Sequence, residues 1–354
     1  MKFYDIDGNR IYLNNANTEI PYLAASGNNK IKCQTPVDVS SFGLIQEFTA
    51  FAKDYSTQQA TPRVLNITVS EFLQTFYDAY LGYNGKTLVT KKRIGKDQSG
   101  EYDIICYDLI PEKPKRKVLL TSGMHTYELP ASFGLARWVK ELLTSNESVF
   151  EYLRENVQFS IIPILNPWGF NQNPKKYGNI NGVNPARNFD DWTHGWNDFP
   201  VYTPDQNEWN VKGAEPFSEA EVRTLADWLR SNTDANFYID CHTGLNNSRS
   251  NQGDVWIYYS ASHPLKTQIL TARDALVSYL SDKYHVTATH KDVIDIADVS
   301  NHRYSNRVVG IPVMTIEQCQ HSNTIYQTVP NNSAVAITEY ATQIHAFVMA
   351  QLQA

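Results

Sequence analysis

The run Lys117-Val-Leu-Leu-Thr-Ser-Gly-Met-His125-Thr-Tyr-Glu128 passes from a short apolar stretch, through a glycine, to a histidine and a glutamate three residues apart. Residues 118–122 have the length and composition of a strand buried on both faces, the kind found in parallel sheets. Gly123 allows the backbone to approach a neighbour closely. Residues 131–143 then read as a helix with Leu135, Val139 and Leu142 on one face. His125 and Glu128 therefore fall where a buried strand hands over to a helix.

The same alternation continues in both directions. Upstream, Thr68-Val-Ser-Glu71 reads as a capping box, followed by Phe72, Phe76, Tyr77 and Tyr80 at helical spacing. Residues 87–93 and 102–109 read as a hairpin across the turn-rich stretch 95–100. Downstream come a strand at 157–165, a helix at 219–231 capped by Ser218 with Glu221, and strands at 237–241 and 255–259. A helix at 265–280, a strand at 313–316 and a long final helix at 334–352 complete the series. Such alternation specifies an α/β sheet with helices on both faces, whose ligand sites gather at the carboxyl ends of the strands.

The 354 residues suffice for one large domain with an appendage, or for two domains. Residues 1–60, rich in Asn, Ser and Thr, read as an N-terminal extension, with Phe42, Leu44, Ile45, Phe48 and Phe51 suggesting one short amphipathic helix; residues 61–354 form the main domain. Hydrophobic and charged contents of 42% and 19% are those of an ordinary globular protein, and a net charge of -6 gives no broad positive field for nucleic acid. No apolar run reaches the roughly 18 residues of a membrane span, and the start lacks a signal-peptide pattern. A cytoplasmic location is the simplest expectation, with release by lysis or on a particle as the other route out. Cys33, Cys106, Cys241 and Cys319 form no CxxC pair, which points to buried thiols rather than disulfides or a zinc ribbon.

A catalytic zinc site takes about three nitrogen or oxygen ligands and keeps one position open. His125 and Glu128 offer two, and His242, directly after the strand at 237–241, offers a third. An isolated HxxE recurs by chance, so its position at strand ends carries the weight. Amide hydrolysis also needs a carboxylate that takes a proton from water and passes it to the leaving amine. Glu317, which ends the apolar run from Ile311, is the candidate, the competing reading being a glutamate at a sheet edge facing water. Arg187, in the Asn-, Pro- and Gly-rich run Gly182-Val-Asn-Pro-Ala-Arg187-Asn-Phe-Asp190, either binds a carboxylate in bidentate fashion or braces its loop.

Taken together, His125-x-x-Glu128, Asn166-Pro-Trp-Gly169, Gly182-Val-Asn-Pro-Ala-Arg187-Asn188-Phe189, Asp240-Cys-His242 and Thr315-Ile-Glu317 resemble the zinc carboxypeptidase family in that family's own order, over roughly residues 62 to 354. The resemblance implies a mixed, mostly parallel sheet flanked by helices and one zinc ion per chain on His125, Glu128 and His242. It implies Glu317 as general base and then acid, and Arg187 with Asn188 as binders of a substrate carboxylate. The departures are specific. Ala186 stands where the family commonly has Asn, and Asn184 aligns with the Asp that orients the first zinc histidine. The Arg that polarises the scissile carbonyl is absent, leaving Lys176 as the nearest cation, and Tyr304 is the available counterpart of the substrate-gripping Tyr.

Other groupings are weaker. His285, His290, Asp292, Asp295, Asp298 and His302 follow no strand or helix period and read as a solvated loop beside the site, where Asp295 or Asp298 would favour a basic side chain. Trp192, His194 and Trp196 line a cleft or form a packed lid. Gly82-Tyr-Asn-Gly85-Lys86-Thr87 is too short for a phosphate loop, and no GxSxG elbow is present. The expectation is a zinc-dependent carboxypeptidase acting on peptides. The alternatives are an amidohydrolase of the same fold acting on cell-wall peptides or N-acyl amino acids, and a binding module that has lost turnover. Neither a nucleic-acid nor a membrane partner is expected, and the oligomeric state is left open.

Overall fold

The computed structural model describes residues 3, 4, 10, 11, 67–173, 175–190, 192, 196–243, 254–259, 267, 270, 271, 274, 289–294, 300–317, 340, 341, 344, 345 and 347–349. Within the extension, β1 (Phe3–Tyr4) and β2 (Arg10–Ile11) pair antiparallel. The helix expected around Phe42 to Phe51 lies outside the described residues. The remaining strands are β3 (Thr87–Lys96), β4 (Asp103–Pro111), β5 (Arg116–Thr121), β6 (Val157–Ile162), β7 (Phe237–His242), β8 (Asp254–Tyr259), β9 (Thr289–Ile294) and β10 (Val313–Glu317). They make one sheet in the order β3-β4-β6-β5-β7-β10-β8-β9. Pairing is parallel at β5–β6, β5–β7, β7–β10 and β8–β9, and antiparallel at β3–β4, β4–β6 and β8–β10. The sheet is thus mixed and mostly parallel.

The helices begin where the chemistry of the chain asks them to. Thr68 closes the expected capping box on α1 (Val69–Phe76), accepting from the Glu71 amide at 3.2 Å while its own amide donates to Glu71 Oε2 at 2.9 Å. The helix turns Phe72, Leu73 and Phe76 inward, and the Phe72 ring meets those of Phe133 and Phe170 at 5.1 and 5.3 Å. After β5 comes α2 (Leu129–Thr144), and directly after that α3 (Ser148–Asn156), which runs into β6 without a loop. Sequence reading misses α3, because its buried residues Val149, Phe150 and Leu153 are few and lie among charges.

Period-two alternation in the central strands divides the core. Val118, Leu120, Ile239, Cys241, Met314 and Ile316 face a layer of α1, α2, α3 and the final helix. Leu119, Tyr238 and Val313 face a second layer built on α4 (Ala220–Arg230). Every described residue from Val118 through Thr121 and from Phe237 through His242 is buried, as strands covered on both sides require. Gly123 then ends β5 with φ +65°, and a Cβ there would lie 2.9 Å from the Ile164 Cα. Glycine is needed for that close approach, which lets Leu165 and Asn166 donate to Ser122 and Gly123.

The cap expected on α4 is replaced by longer-range partners. Glu219 is the N-cap residue, and its amide donates to the Asn188 Oδ1 at 3.0 Å from a loop distant in sequence. The Ser218 Oγ donates to Glu219 instead. Glu221 turns inside, where it accepts from the Gln98 amide at 2.9 Å and from the Asn179 Nδ2, which also bonds Glu219. The hairpin turn, the 179–188 loop and α4 are thereby tied together through buried acids.

Burial, reinforced by the nearby Asp97 and opposed by these donors, pushes the Glu221 carboxyl up to about 7 from 4.5. A carboxyl raised on folding holds its proton longer in the native than in the unfolded chain. Its penalty is absent below about pH 4.5, grows up to pH 7 and is then constant, at about 3 kcal/mol. Unfolding free energies of wild type and Glu221→Gln measured at pH 5 and pH 8 should shift in the variant's favour by up to that amount. A constant difference would contradict this placement of the charge.

Candidate metal centre

Three side chains from two segments meet at the carboxyl ends of β5 and β7. The His125 Nδ1 lies 3.0 Å from Glu128 Oε1 and 3.1 Å from the His242 Nδ1, which lies 3.0 Å from Glu128 Oε2. All three residues are buried. Around a tetrahedral zinc with bonds of about 2.0–2.1 Å, ligand atoms sit roughly 3.3 Å apart, close to the spacing found here.

The outer contacts decide which ring atoms carry protons. Asn184 Oδ1 accepts from the Ala186 amide at 2.9 Å while its Nδ2 donates to the Trp209 carbonyl at 2.6 Å, so the atom 2.9 Å from His125 Nε2 is an oxygen. The His125 Nε2 must donate to it. The His242 Nε2 likewise donates to Asp240 Oδ2 at 2.9 Å. In neutral rings this leaves a lone pair on each Nδ1, both pointing at the Glu128 carboxylate and at each other. Three acceptors so placed repel unless a cation lies among them. The residues fit a zinc ion.

The three groups also shift one another's proton affinities. At Glu128 burial acts upward, yet the two imidazoles hold the carboxyl at about 2. Burial lowers the His125 pKa, whereas at His242 the burial effect is overcome by Asp240 and Glu128, which hold the ring well above the usual imidazole range. Tyr177 stacks on the His125 ring at 3.9 Å and 16°, and Trp209 packs edge-on against Tyr177. On the other side the Tyr340 hydroxyl donates to the His242 carbonyl at 2.8 Å.

Further out, Asp240 and Thr121 are paired in register across β7 and β5, as are Asp240 and Thr315 across β7 and β10. The Thr121 hydroxyl donates to Asp240 Oδ1 at 2.6 Å, and Asn301 and His302 meet Oδ2 at 2.7 and 3.0 Å. Asp240, His242 and His302 form a second group with metal-ligand atoms. The Asn301 amide donating to the same oxygen makes it a hydrogen-bonded shell instead. His302 is buried at 5% exposure, so the solvated loop expected there is corrected on two counts. The segment from Ser300 packs inside, and Thr289–Ile294, with His290 and Asp292, is a strand. His285, Asp295 and Asp298 lie outside the described residues.

The other expected positions divide. Arg187 ends the short turn Pro185–Arg187, whose N-cap is Asn184; it is half-buried, and its Nε donates to Asn210 Oδ1 at 3.3 Å. Glu317 closes β10 at the register position paired with His242. Lys176 is exposed, with its backbone strapped to Thr126 next to His125. Its neighbour Lys175 is buried and donates to the carbonyls of Ile67 and Phe170.

Asn188, expected on the substrate, directs its amide to the carbonyls of Lys212 and Glu215, to Ser218 and to the Glu219 amide. That geometry makes it a brace under the loop. Tyr304 is fully buried among Phe189, Phe217 and Trp192, a core position unsuited to gripping substrate. Trp192 is exposed and stacked on Phe217, Trp196 lies against the Lys212 ammonium, and His194 is outside the described residues. Cys241 is buried, and burial together with Asp240 pushes its thiol up, which suits a core residue. Asp240 was legible as a partner of His242, since residues two apart in a strand share a face.

Because Asp240 and Glu128 favour a proton on His242, zinc uptake has to displace it. Binding should release protons and weaken as pH falls. Chelator competition at pH 8 and pH 6 should show tighter binding at pH 8; equal affinities would contradict the assignment of His242 as a ligand.

The family model described as zinc carboxypeptidase matches residues 89–341. A carboxypeptidase B of Astacus astacus is 23% identical over 251 residues, which span 65% of this chain and 74% of the relative. Among solved structures, thrombin activatable fibrinolysis inhibitor superposes with a TM-score of 0.60 at 18% identity, covering 84% of this chain and 83% of that one. Carboxypeptidase A from Helicoverpa armigera gives 0.59 at 16% identity, covering 87% and 80%. The fold is shared with both. With the family model covering most of the sheet and all three candidate ligand positions, the chain belongs to the zinc carboxypeptidase family and is a hydrolase of the metallocarboxypeptidase type.

Proposed function

We propose that the chain is a zinc-dependent carboxypeptidase that hydrolyses the C-terminal amide bond of a peptide. The observation that supports this most is the trio His125, Glu128 and His242, three buried acceptors about 3 Å apart with their ring protons directed outward. A zinc ion held there supplies Lewis acidity toward the scissile carbonyl and toward water. Glu317, at the end of the strand beside His242, takes the proton from the attacking water and delivers it to the leaving amine.

Arg187 binds the free carboxylate of the substrate in the bidentate fashion that Arg favours, with Asn210 holding its Nε. Lys176, with an exposed side chain and a backbone tied beside His125, supplies positive charge to the developing oxyanion. An acyl-amino acid offers the same carboxylate and amide, so a mixed library separates the two substrate classes.

Wild type should release C-terminal residues from peptides, lose activity to a chelator and regain it with zinc. Glu317→Gln should retain zinc but lose activity by about 100- to 10,000-fold, the range for a positioned acid-base group. Absence of turnover in wild type and Glu317→Gln alike would make the chain a binding module, and equal turnover in both would exclude Glu317 as the base. Arg187→Ala should cost about 10- to 100-fold in kcat/KM on peptides with a free C-terminal carboxylate, roughly the worth of a charge-assisted hydrogen bond. On C-terminally amidated peptides it should cost nothing further; an equal loss on both would exclude Arg187 from carboxylate recognition.

A further inference from the structure

We propose that His302 is a positioning residue for the metal ligand His242, acting through the carboxylate of Asp240; the inference rests on the zinc reading. Asp240 is fully buried and is the partner of the His242 Nε2. The direction of the Asp240 carboxylate therefore sets how His242 presents its Nδ1. An ionised carboxylate has about four acceptor sites. Here Thr121 occupies Oδ1, while His242, Asn301 and His302 converge on Oδ2 at 2.9, 2.7 and 3.0 Å. Asp240 only accepts, so His302 Nε2 carries a proton toward it, and two imidazoles grip one oxygen from different sides.

His302 also touches the next strand, its Nε2 lying 2.6 Å from the Thr315 Oγ1. Thr315 and Asp240 are paired in register, and two residues further along the same strands Glu317 and His242 are paired as well. One buried ring thus bears on both strands a single step before they present the metal ligand and the candidate base. The segment that delivers it is fixed independently. Ser300 caps it, Asn306 Oδ1 accepts from the Val313 amide at 3.1 Å, and the Ser305 hydroxyl donates to the Ile311 carbonyl at 2.9 Å. It is wound as a π-turn over Tyr304–Val309, a form that recurs at functional sites.

The test compares zinc affinity, by chelator competition, in the full chain carrying His302→Gln, His302→Asn or His302→Leu. The Gln amide can reach Asp240 with a donor; Asn is too short and Leu has none. Gln should bind zinc within about threefold of wild type, whereas Asn and Leu should bind about 10-fold more weakly, the lower end of the range for losing a ligand's direct partner, since Asp240 itself stays in place. The visible bands of the cobalt(II)-substituted protein should shift in Asn and Leu and stay in place in Gln. A purely structural role would lower the melting temperature of all three without separating Gln from Asn. Equal zinc affinity in Gln and Asn overturns the proposal even if Leu does not fold. Failure of the wild type to take up zinc would instead defeat the metallohydrolase reading itself.

Discussion

Three electron-pair acceptors crowded within about 3 Å are tolerable only around positive charge, and the centre of this protein is arranged to create that situation. The Nε2 protons of His125 and His242 are drawn outward by Asn184 and Asp240, which turns both Nδ1 atoms toward Glu128, where a cation, whether proton or metal, is held. The partners that draw them are buried as well, Asp240 in β7 at the middle of the sheet and Asn184 in the loop that leads into the Pro185–Arg187 turn. Parallel pairing of β5, β7 and β10 brings the strand ends to one edge, and the left-handed turn at Gly123 delivers His125 and Glu128 over it. A cation there stabilises both the site and the packing that produces it, since metal binding and folding draw on the same free energy.

Much of this was legible in the sequence. The runs at 118–122 and 237–241, short and largely apolar, read as strands, and both halves of the candidate ligand set followed them directly. The Thr68 to Glu71 box worked because all its parts lie within one turn. What failed were features settled by distant partners. Ser218 has the residue type of a cap, yet Asn188, thirty residues earlier, reaches the amide that needs one. His302 follows no local period because its place depends on Asp240, which only the fold brings near.

The same distinction explains the fate of the expected substrate contacts. Asn188 and Tyr304 have side chains suited to binding, but a buried amide seeks four partners and a phenol ring seeks a packed surface. Both found these within the protein. Arg187 and Lys176 stay closer to solvent, and the positive charge of each is the property a carboxylate or an oxyanion would recognise.

Asn184 serves two masters. One oxygen receives the His125 ring and also the amide that winds the turn carrying Arg187. The proposed metal seat and the proposed carboxylate anchor therefore hang from a single pivot. If Arg187 and the trio act as proposed, rebuilding the loop around Arg187 would meet that linkage first, as a change in how firmly an ion is held. Altered preference and altered metal retention would be inherited together, which narrows the paths open to natural variation at this loop.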